Sequence, residues 1–286
     1  MAELKGFVLS FHPCIKADIN ILLAGKSLSK AQRDLVKRAR AIILPQGCKG
    51  ELYWFCRLHC KHVFPNYDCR FPGQGKVGDA FLFKLFGMPH PPTYVYLNIE
   101  GFYKMHTNLK GMPFSYPFLL KGDWGGEGEM VFLIKNDADL REKLALLGKN
   151  EGFILQKYIP TDRDLRVVII GERRFYYWRI QKDKSEWQTN VRKGAIIDHE
   201  VSKAIKNGLN NLLERFYKAT GINLAAIDIL YSDNRPLFLE INYYFGRRGL
   251  GGSERFYQLL NKAIEEWLYT NFSSQDGLNL HNQAYR

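Results

Sequence analysis

An alternating stretch near the end of the chain constrains its fold more than any other feature. Residues 225–230 read Ala-Ala-Ile-Asp-Ile-Leu and residues 237–242 read Leu-Phe-Leu-Glu-Ile-Asn, with Ser232, Asp233, Asn234 and Arg235 between them. Such period-two alternation around turn residues predicts two antiparallel strands. With the turn centred on Asn234, Asp228 stands opposite Glu240, and Glu240 and Asn242 share one face. Two carboxylates facing each other in otherwise apolar strands repel unless a cation lies between them. Mg²⁺ suits the place, because it takes hard oxygen ligands and shares its coordination with substrate phosphates. The plainer alternative is a solvated polar face on an antiparallel sheet.

A second feature points the same way. Residues 117–121 read as a buried strand ending in Lys121, and Gly122, Gly125, Gly126 and Gly128 follow before another strand at 130–134. Glycines let backbone N–H groups close over phosphate oxygens, and a strand-fixed lysine adds a point charge. A glycine-rich hairpin with a surface lysine is the alternative. Other nucleotide signatures fail their own requirements. Gly25-Lys26-Ser27 has Asn20 where a Walker-type loop needs glycine. The run Gly73-Gln74-Gly75-Lys76-Val77-Gly78 matches Gly-x-Gly-x-x-Gly but follows Pro72 rather than a strand, so it reads as a chance match.

The rest of the chain has the pattern of a globular α/β protein. Hydrophobic residues are 46% and charged residues 24% of the 286, which excludes a disordered chain. Residues 6–44 alternate strand, helix, strand; helices follow over 51–63 and 76–86, and Pro89, Pro91 and Pro92 mark a linker. From 114 onward short strands dominate (117–121, 130–134, 153–159, 164–170, 173–182), with helices over 137–147, 201–220 and 254–268 and a polar tail from 273. The 41 basic residues exceed the 29 acidic ones by 12, a surplus that attracts phosphates, acidic peptides, nucleic acid or an anionic membrane face. Without a membrane-length apolar run or a signal-peptide pattern, the reading is cytoplasmic. Cys14, Cys48, Cys56, Cys60 and Cys69 lack paired zinc-ligand spacing and read as reduced, mostly packed thiols.

Four segments in order carry a resemblance to a known group: 117–131 (PFLLKGDWGGEGEMV), 153–171 (FILQKYIPTDRDLRVVIIG), 188–194 (QTNVRKG) and 226–246 (AIDILYSDNRPLFLEINYYFG). In these the chain resembles the ATP-grasp superfamily and, within it, the RimK-type and glutathione-synthetase-like carboxylate-amine ligases. The resemblance implies an α/β (α+β) ATP-grasp fold. A small parallel α/β domain at 1–92 would precede an ATP-grasp domain at 93–272, whose two mainly antiparallel lobes (about 93–160 and 161–272) enclose the nucleotide; a tail occupies 273–286.

By the same resemblance Lys121 contacts ATP phosphates, residues 122–128 with Gly125, Gly126 and Gly128 form the flap over them, and Gln156, Lys157, Tyr158 and Ile159 hold adenine. Asp164 matches the ribose-proximal acid, and Asp228, Glu240 and Asn242 match the Mg²⁺ ligands, with Mn²⁺ as an alternative ion. The first ATP-contacting lysine falls to Lys104, with Lys110 second. Arg166, Arg179 and Arg192 with Asn190 are candidates for holding the transferring phosphoryl group. After Asn242 the chain runs Tyr243-Tyr244-Phe245-Gly246-Arg247-Arg248-Gly249, where the family commonly shows proline and glycine, and this segment shapes the acceptor side.

The implied activity is ATP- and Mg²⁺-dependent ligation, in which a carboxylate takes the γ-phosphoryl group and an amine then displaces phosphate. The positive charge suits an acidic amino acid or an acidic peptide or protein substrate, and Arg247-Arg248 could grip a carboxylate. Neither a membrane nor nucleic acid is an expected partner, and homo-oligomerisation stays open. Two alternatives remain: a phosphotransferase of the same fold acting on a small acidic hydroxyl compound, and a non-catalytic basic protein that binds ATP or nucleic acid.

Overall fold

Strand pairing sets the architecture. The computed structural model describes residues 6–123 and 129–272, so the tail from 273 and the flap glycines Gly125, Gly126 and Gly128 lie outside the described residues. The first of three sheets is parallel. In it β1 (Val8–Ser10) lies between β2 (Ile19–Asn20) and β3 (Ala41–Ile43), with β4 (His62–Phe64) beyond β3. Helices α1 (Lys30–Arg38) and α2 (Gly50–His59) make the crossovers to β3 and β4. Helix α1 starts at a capping box, in which Ser29 and Gln32 exchange side-chain-to-backbone hydrogen bonds.

The helix expected over 51–63 stops at His59, and its last residues form β4 instead. Cys60 is already extended, and Val63 and Phe64 are buried in register with Ile42 and Ile43. Burial beside β3 outweighs continuation of the helix. Helix α3 (Lys76–Leu85), read from the sequence as part of the first unit, packs against strands of both later sheets.

The second sheet contains β5 (Thr93–Tyr96), β6 (Phe118–Gly122), β7 (Val131–Ile134) and β8 (Phe153–Lys157) in the order β5-β8-β6-β7, all antiparallel. With α4 (Ile99–Met105) and α5 (Asp137–Leu144) it encloses its own core of Phe102, Phe118, Leu120, Leu140 and Phe153. The third sheet orders β9 (Arg163–Ile170), β10 (Arg173–Ile180), β11 (Ile196–Asp198), β12 (Leu224–Ser232) and β13 (Arg235–Asn242) as β11-β10-β9-β12-β13.

The faces of β9 show how the third sheet is used. Leu165, Val167 and Ile169 share a core with Leu9, Ile42 and the helix α6 (Lys203–Thr220). On the opposite face Val168 and Ile170 pack with Ile43, Phe64 and the helix α7 (Ser253–Phe272). Asp164 and Arg166, on that second face, lie beyond the helix cover and line an open cleft. Alternation along one strand thus puts apolar residues into both cores and leaves two charges for the cleft. Among the described residues no helix is long and apolar enough to cross a membrane.

Phe238 of β13 joins α3 and α6 to this sheet. It is fully buried, 5.6 Å from the Phe83 ring and 6.0 Å from the Phe216 ring, and its N–H donates to Pro89 at 2.7 Å. Phe238→Ala should lower stability by about 3–5 kcal/mol in urea unfolding, because the three surrounding elements cannot all close on the void. A loss below about 1 kcal/mol would contradict the packing described.

Candidate functional site

A cleft of about 470 Å³ lies between the second and third sheets. Four strands build its charged floor. Tyr177, Arg166, Asp228 and Glu240 are direct register partners across β10, β9, β12 and β13, and Arg179 stands opposite Asp164 in the neighbouring row. Arg166 donates from Nε and Nη2 to the two oxygens of Asp228 at 2.6 and 2.7 Å. Arg179 grips Asp164 in the same forked way, both bonds at 2.6 Å, and also reaches Asp228 Oδ2 at 2.9 Å. Thr189 donates its hydroxyl to Asp164. Burial opposes ionisation of Asp228, but Arg166 and Arg179 outweigh it and hold the carboxyl below the usual carboxylate range.

The pairing of Asp228 with Glu240 depends on a β-bulge. The turn is a two-residue one with Asp233 at φ 50° and Asn234 at φ 61°, pairing Ser232 with Arg235, so its centre lies half a residue before Asn234. Regular pairing from that turn would set Asp228 against Leu239. Instead the register shifts between Asp228 and Ile229: Ile229 pairs with Phe238, Leu239 is the extra residue, and Asp228 meets Glu240. The bulge also lets Phe238 point into the core while Glu240, two residues on, lines the cleft.

The donors available here fit a hard divalent cation. Asn242 donates Nδ2 to Asp228 Oδ2 at 3.2 Å, which leaves its amide oxygen as the remaining donor. Glu240 lines the cleft with no hydrogen-bond or ion-pair partner among the described residues, so both its oxygens are uncommitted. Two carboxylates and one amide oxygen on adjacent strands are a set that Mg²⁺ accepts, with open positions for water and phosphate.

Lys121, at the end of β6, lines the cleft from the other sheet and donates to Gln156 Oε1 at 2.7 Å; Gln156 in turn donates to Thr93 at 2.9 Å. Burial lowers the Lys121 pKa to about 8; the charge of Lys76 pushes the same way, while Glu240, Asp228 and Asp79 oppose it. Lys76 is a residue the sequence reading missed. It is buried at the start of α3, and its charge acts on Lys121, Asp79 and Asp123. Its signal was the glycine run set aside as chance. Gly75, at φ 100°, caps α3 where an added Cβ would lie 2.3 Å from the Asp123 carboxylate. Asp123 accepts from the Val77 N–H at 2.9 Å, so the corner ties α3 to the strand end that carries Lys121. Asp79, one turn on, accepts from the Ile241 N–H at 2.9 Å between the candidate ligands Glu240 and Asn242.

Other expected residues are placed as follows. Gln156, Lys157, Tyr158 and Ile159 line the cleft beside apolar Pro91, Leu119, Val131 and Trp187, and the Lys157 N–H is donated to Pro92. Asn190 and Arg192 also line it, with Asn190 Oδ1 accepting from the Arg192 N–H at 2.9 Å. Lys104 is not brought to the cleft: it lies on α4, 73% exposed, paired with Glu100 one helical turn away at 2.6 Å. Three cysteines are buried, and burial pushes the Cys48 thiol up to about 11; Cys14 is exposed and Cys69 half-buried.

Comparison with known proteins bears on this arrangement. The description RimK-like ATP-grasp domain matches residues 90–259, well over half of the chain. The chain belongs to the RimK-like ATP-grasp family. Among curated relatives, a probable alpha-L-glutamate ligase of Alkalilimnicola ehrlichii is 28% identical over 152 residues, covering 50% of this chain and 46% of that protein. Human beta-citrylglutamate synthase B is 26% identical over 154 residues, covering 52% and 38%. The matched stretch thus spans less than half the length of these relatives. Among solved structures, a RimK domain ATP-grasp protein of Sphaerobacter thermophilus superposes with TM-score 0.61 at 17% identity, covering 87% of this chain and 89% of that one. D-alanine-D-alanine ligase of Helicobacter pylori gives 0.58 at 15%, covering 79% and 72%. These last two show the ATP-grasp fold.

For this ATP-grasp chain the depressed Lys121 pKa has a measurable consequence. At pH 8 about half of the Lys121 population is neutral, and a phosphate bound beside it would favour the charged form. Nucleotide binding should therefore take up about half a proton at pH 8, and affinity should weaken as pH rises above that value. Calorimetry in two buffers of different ionisation enthalpy reads the uptake; equal heats in both would contradict it.

Proposed function

We propose that this chain is an ATP- and Mg²⁺-dependent carboxylate-amine ligase that works through an acyl-phosphate and accepts an acidic amino acid or acidic peptide. The observation that carries the reading is the cleft itself: Lys121 on one sheet faces Asp228, Glu240 and Asn242 on the other, in a member of the RimK-like family. The names of the relatives, glutamate ligase and citrylglutamate synthase, support an acidic substrate.

In this reading the apolar walls around Leu119, Val131, Ile159 and Trp187 take the adenine, and Asp164 faces the ribose. Lys121, with Lys76 behind it, attracts the phosphates. Mg²⁺ held by Asp228, Glu240 and Asn242 supplies neutralisation of phosphate charge. Arg166 and Arg179 are locked on the sheet by their forked pairs, and with Asn190 and Arg192 they stabilise charge on the transferring phosphoryl group and orient the carboxylate that receives it. The carboxylate oxygen bonds to phosphorus as ADP leaves; an amine then attacks the acyl carbon and phosphate departs, leaving an amide. Positioning and charge do most of this work, so no dedicated general base is required.

Calorimetric titration with a non-hydrolysable ATP analogue tests the site. The native chain should bind it at micromolar concentration with Mg²⁺, and Glu240→Ala with Asn242→Ala should weaken that binding at least about tenfold. ADP release with L-glutamate or a glutamate peptide, accompanied by free phosphate, would then separate ligase from phosphotransferase. Absence of nucleotide binding by the native chain at any Mg²⁺ or Mn²⁺ concentration would sink the reading.

A further inference from the structure

Beyond Asn242 the chain turns away from the metal ligands and forms one wall shared by the main cleft and a second, more open hollow of about 680 Å³. The second hollow is lined by residues 244–248 and 251–253, none of them acidic. Arg247 belongs to both linings. Its guanidinium lies 4.5 Å from the Phe256 ring centre and 4.6 Å from that of Tyr257, and its Nη1 donates to Ser253 Oγ at 3.4 Å. Burial raises the Tyr257 pKa, and the charge of Arg247 opposes that rise. Cys14 belongs to the loop that follows β1, as does His12, whose ring meets the Tyr257 ring edge-on at 5.8 Å. His12 Nδ1 accepts from the Cys14 N–H at 3.0 Å, and burial with the nearby Arg247 charge lowers its pKa to about 4, so the imidazole is neutral at physiological pH.

Every one of these contacts fixes Arg247 without neutralising it. Two aromatic faces, the Ser253 hydroxyl and a neutral imidazole surround it, and no carboxylate among the described residues pairs with it. Its neighbour Arg248 is exposed, as an ordinary solvated cation is. A half-buried guanidinium held rigid on a cleft wall with no counter-ion is preorganised for an anion, and its planar fork matches a carboxylate.

We propose that Arg247 is the carboxylate-recognition residue for the substrate that enters beside the metal ligands, with Tyr257 as its positioning residue and the loop after β1 as the support behind them. This rests on the ligase reading above. The recognised group is a carboxylate on an amino acid or on a peptide, and Arg247 selects acidic substrates over their amides.

The test uses the full chain saturated with a non-hydrolysable ATP analogue and Mg²⁺, titrated with L-glutamate, L-glutamyl-L-glutamate and L-glutamine. Either acidic probe should bind, and the stronger of the two identifies a free amino acid or a peptide as the source; L-glutamine should bind at least about tenfold more weakly. Arg247→Gln should erase that preference while the nucleotide affinity, measured first, stays within about twofold. Arg247→Lys keeps the charge but not the stacked fork and should retain part of the preference. Tyr257→Ala removes the ring stacked on the guanidinium and should weaken the acidic probe about two- to fivefold with nucleotide affinity unchanged, whereas Tyr257→Phe keeps that ring and should bind the probe within about twofold of the native chain. If nucleotide binds but neither acidic probe does, or if Arg247→Gln and Arg247→Lys bind the acidic probe as the native chain does, the inference is overturned. If nucleotide does not bind at all, the ligase reading fails first.

Discussion

The row of side chains from Tyr177 through Arg166 and Asp228 to Glu240 is the constraint on which the rest of the molecule depends. Two aspartates and two arginines sit on the face of a sheet, largely removed from water, and each is tolerable there only because its partner is fixed opposite. Deleting one partner of such a pair leaves an uncompensated charge, at about 3–5 kcal/mol. The register of β10, β9, β12 and β13 therefore cannot slip, and the bulge at Leu239 becomes part of the chemistry: without it Glu240 would not complete the row. Glu240 differs from the other three in having no hydrogen-bond or ion-pair partner among the described residues, so the proposed cation would complete the end of the row.

The parts around this row divide by how they are attached to it. The N-terminal sheet and the third sheet share two apolar cores, so they behave as one packed body. The second sheet has its own core and meets the others across the cleft. Helix α3 is the strut between them, touching β5 and β8 on one side and β13 on the other. Its first turn is bonded to Asp123 of the small lobe through Val77 and to β13 through Asp79.

Much of this was legible in the sequence, for a physical reason. Asp228, Glu240 and Asn242 could be placed together because period-two alternation and a short turn specify neighbours locally. The pairing came out right although the turn centre was half a residue off, since the bulge compensates. Lys121 stood out as a charge ending an apolar strand. Lys76 did not reveal its place beside Lys121, because that depends on α3 packing against β13, far away in the chain; Arg247 and Arg248 stood out together, but that Arg247 is the one held, by Phe256 and Tyr257 of α7, needed the tertiary contact. Lys104, read with Lys110 as the family's first ATP-contacting lysine ahead of the glycine loop, is exposed on α4 and pairs with Glu100. The strand at His62–Phe64 was hidden by the helical composition before it and needed β3 beside it to form.

The glycine run at 73–78 shows how a motif can be absent as chemistry and present as geometry. No strand precedes it, so it lacks the context of a dinucleotide-binding turn, and its glycines answer to packing. An added Cβ on Gly78 would lie 1.7 Å from the Gly73 carbonyl oxygen, and one on Gly75 would meet Asp123. Those close approaches hold the first turn of α3 against the strand end that bears Lys121, which sets a second buried lysine where its charge acts on Lys121. The positive charge of Lys76 favours the neutral form of Lys121. The glycines thus act through the position of α3 rather than as a phosphate loop, and their spacing answers to that packing.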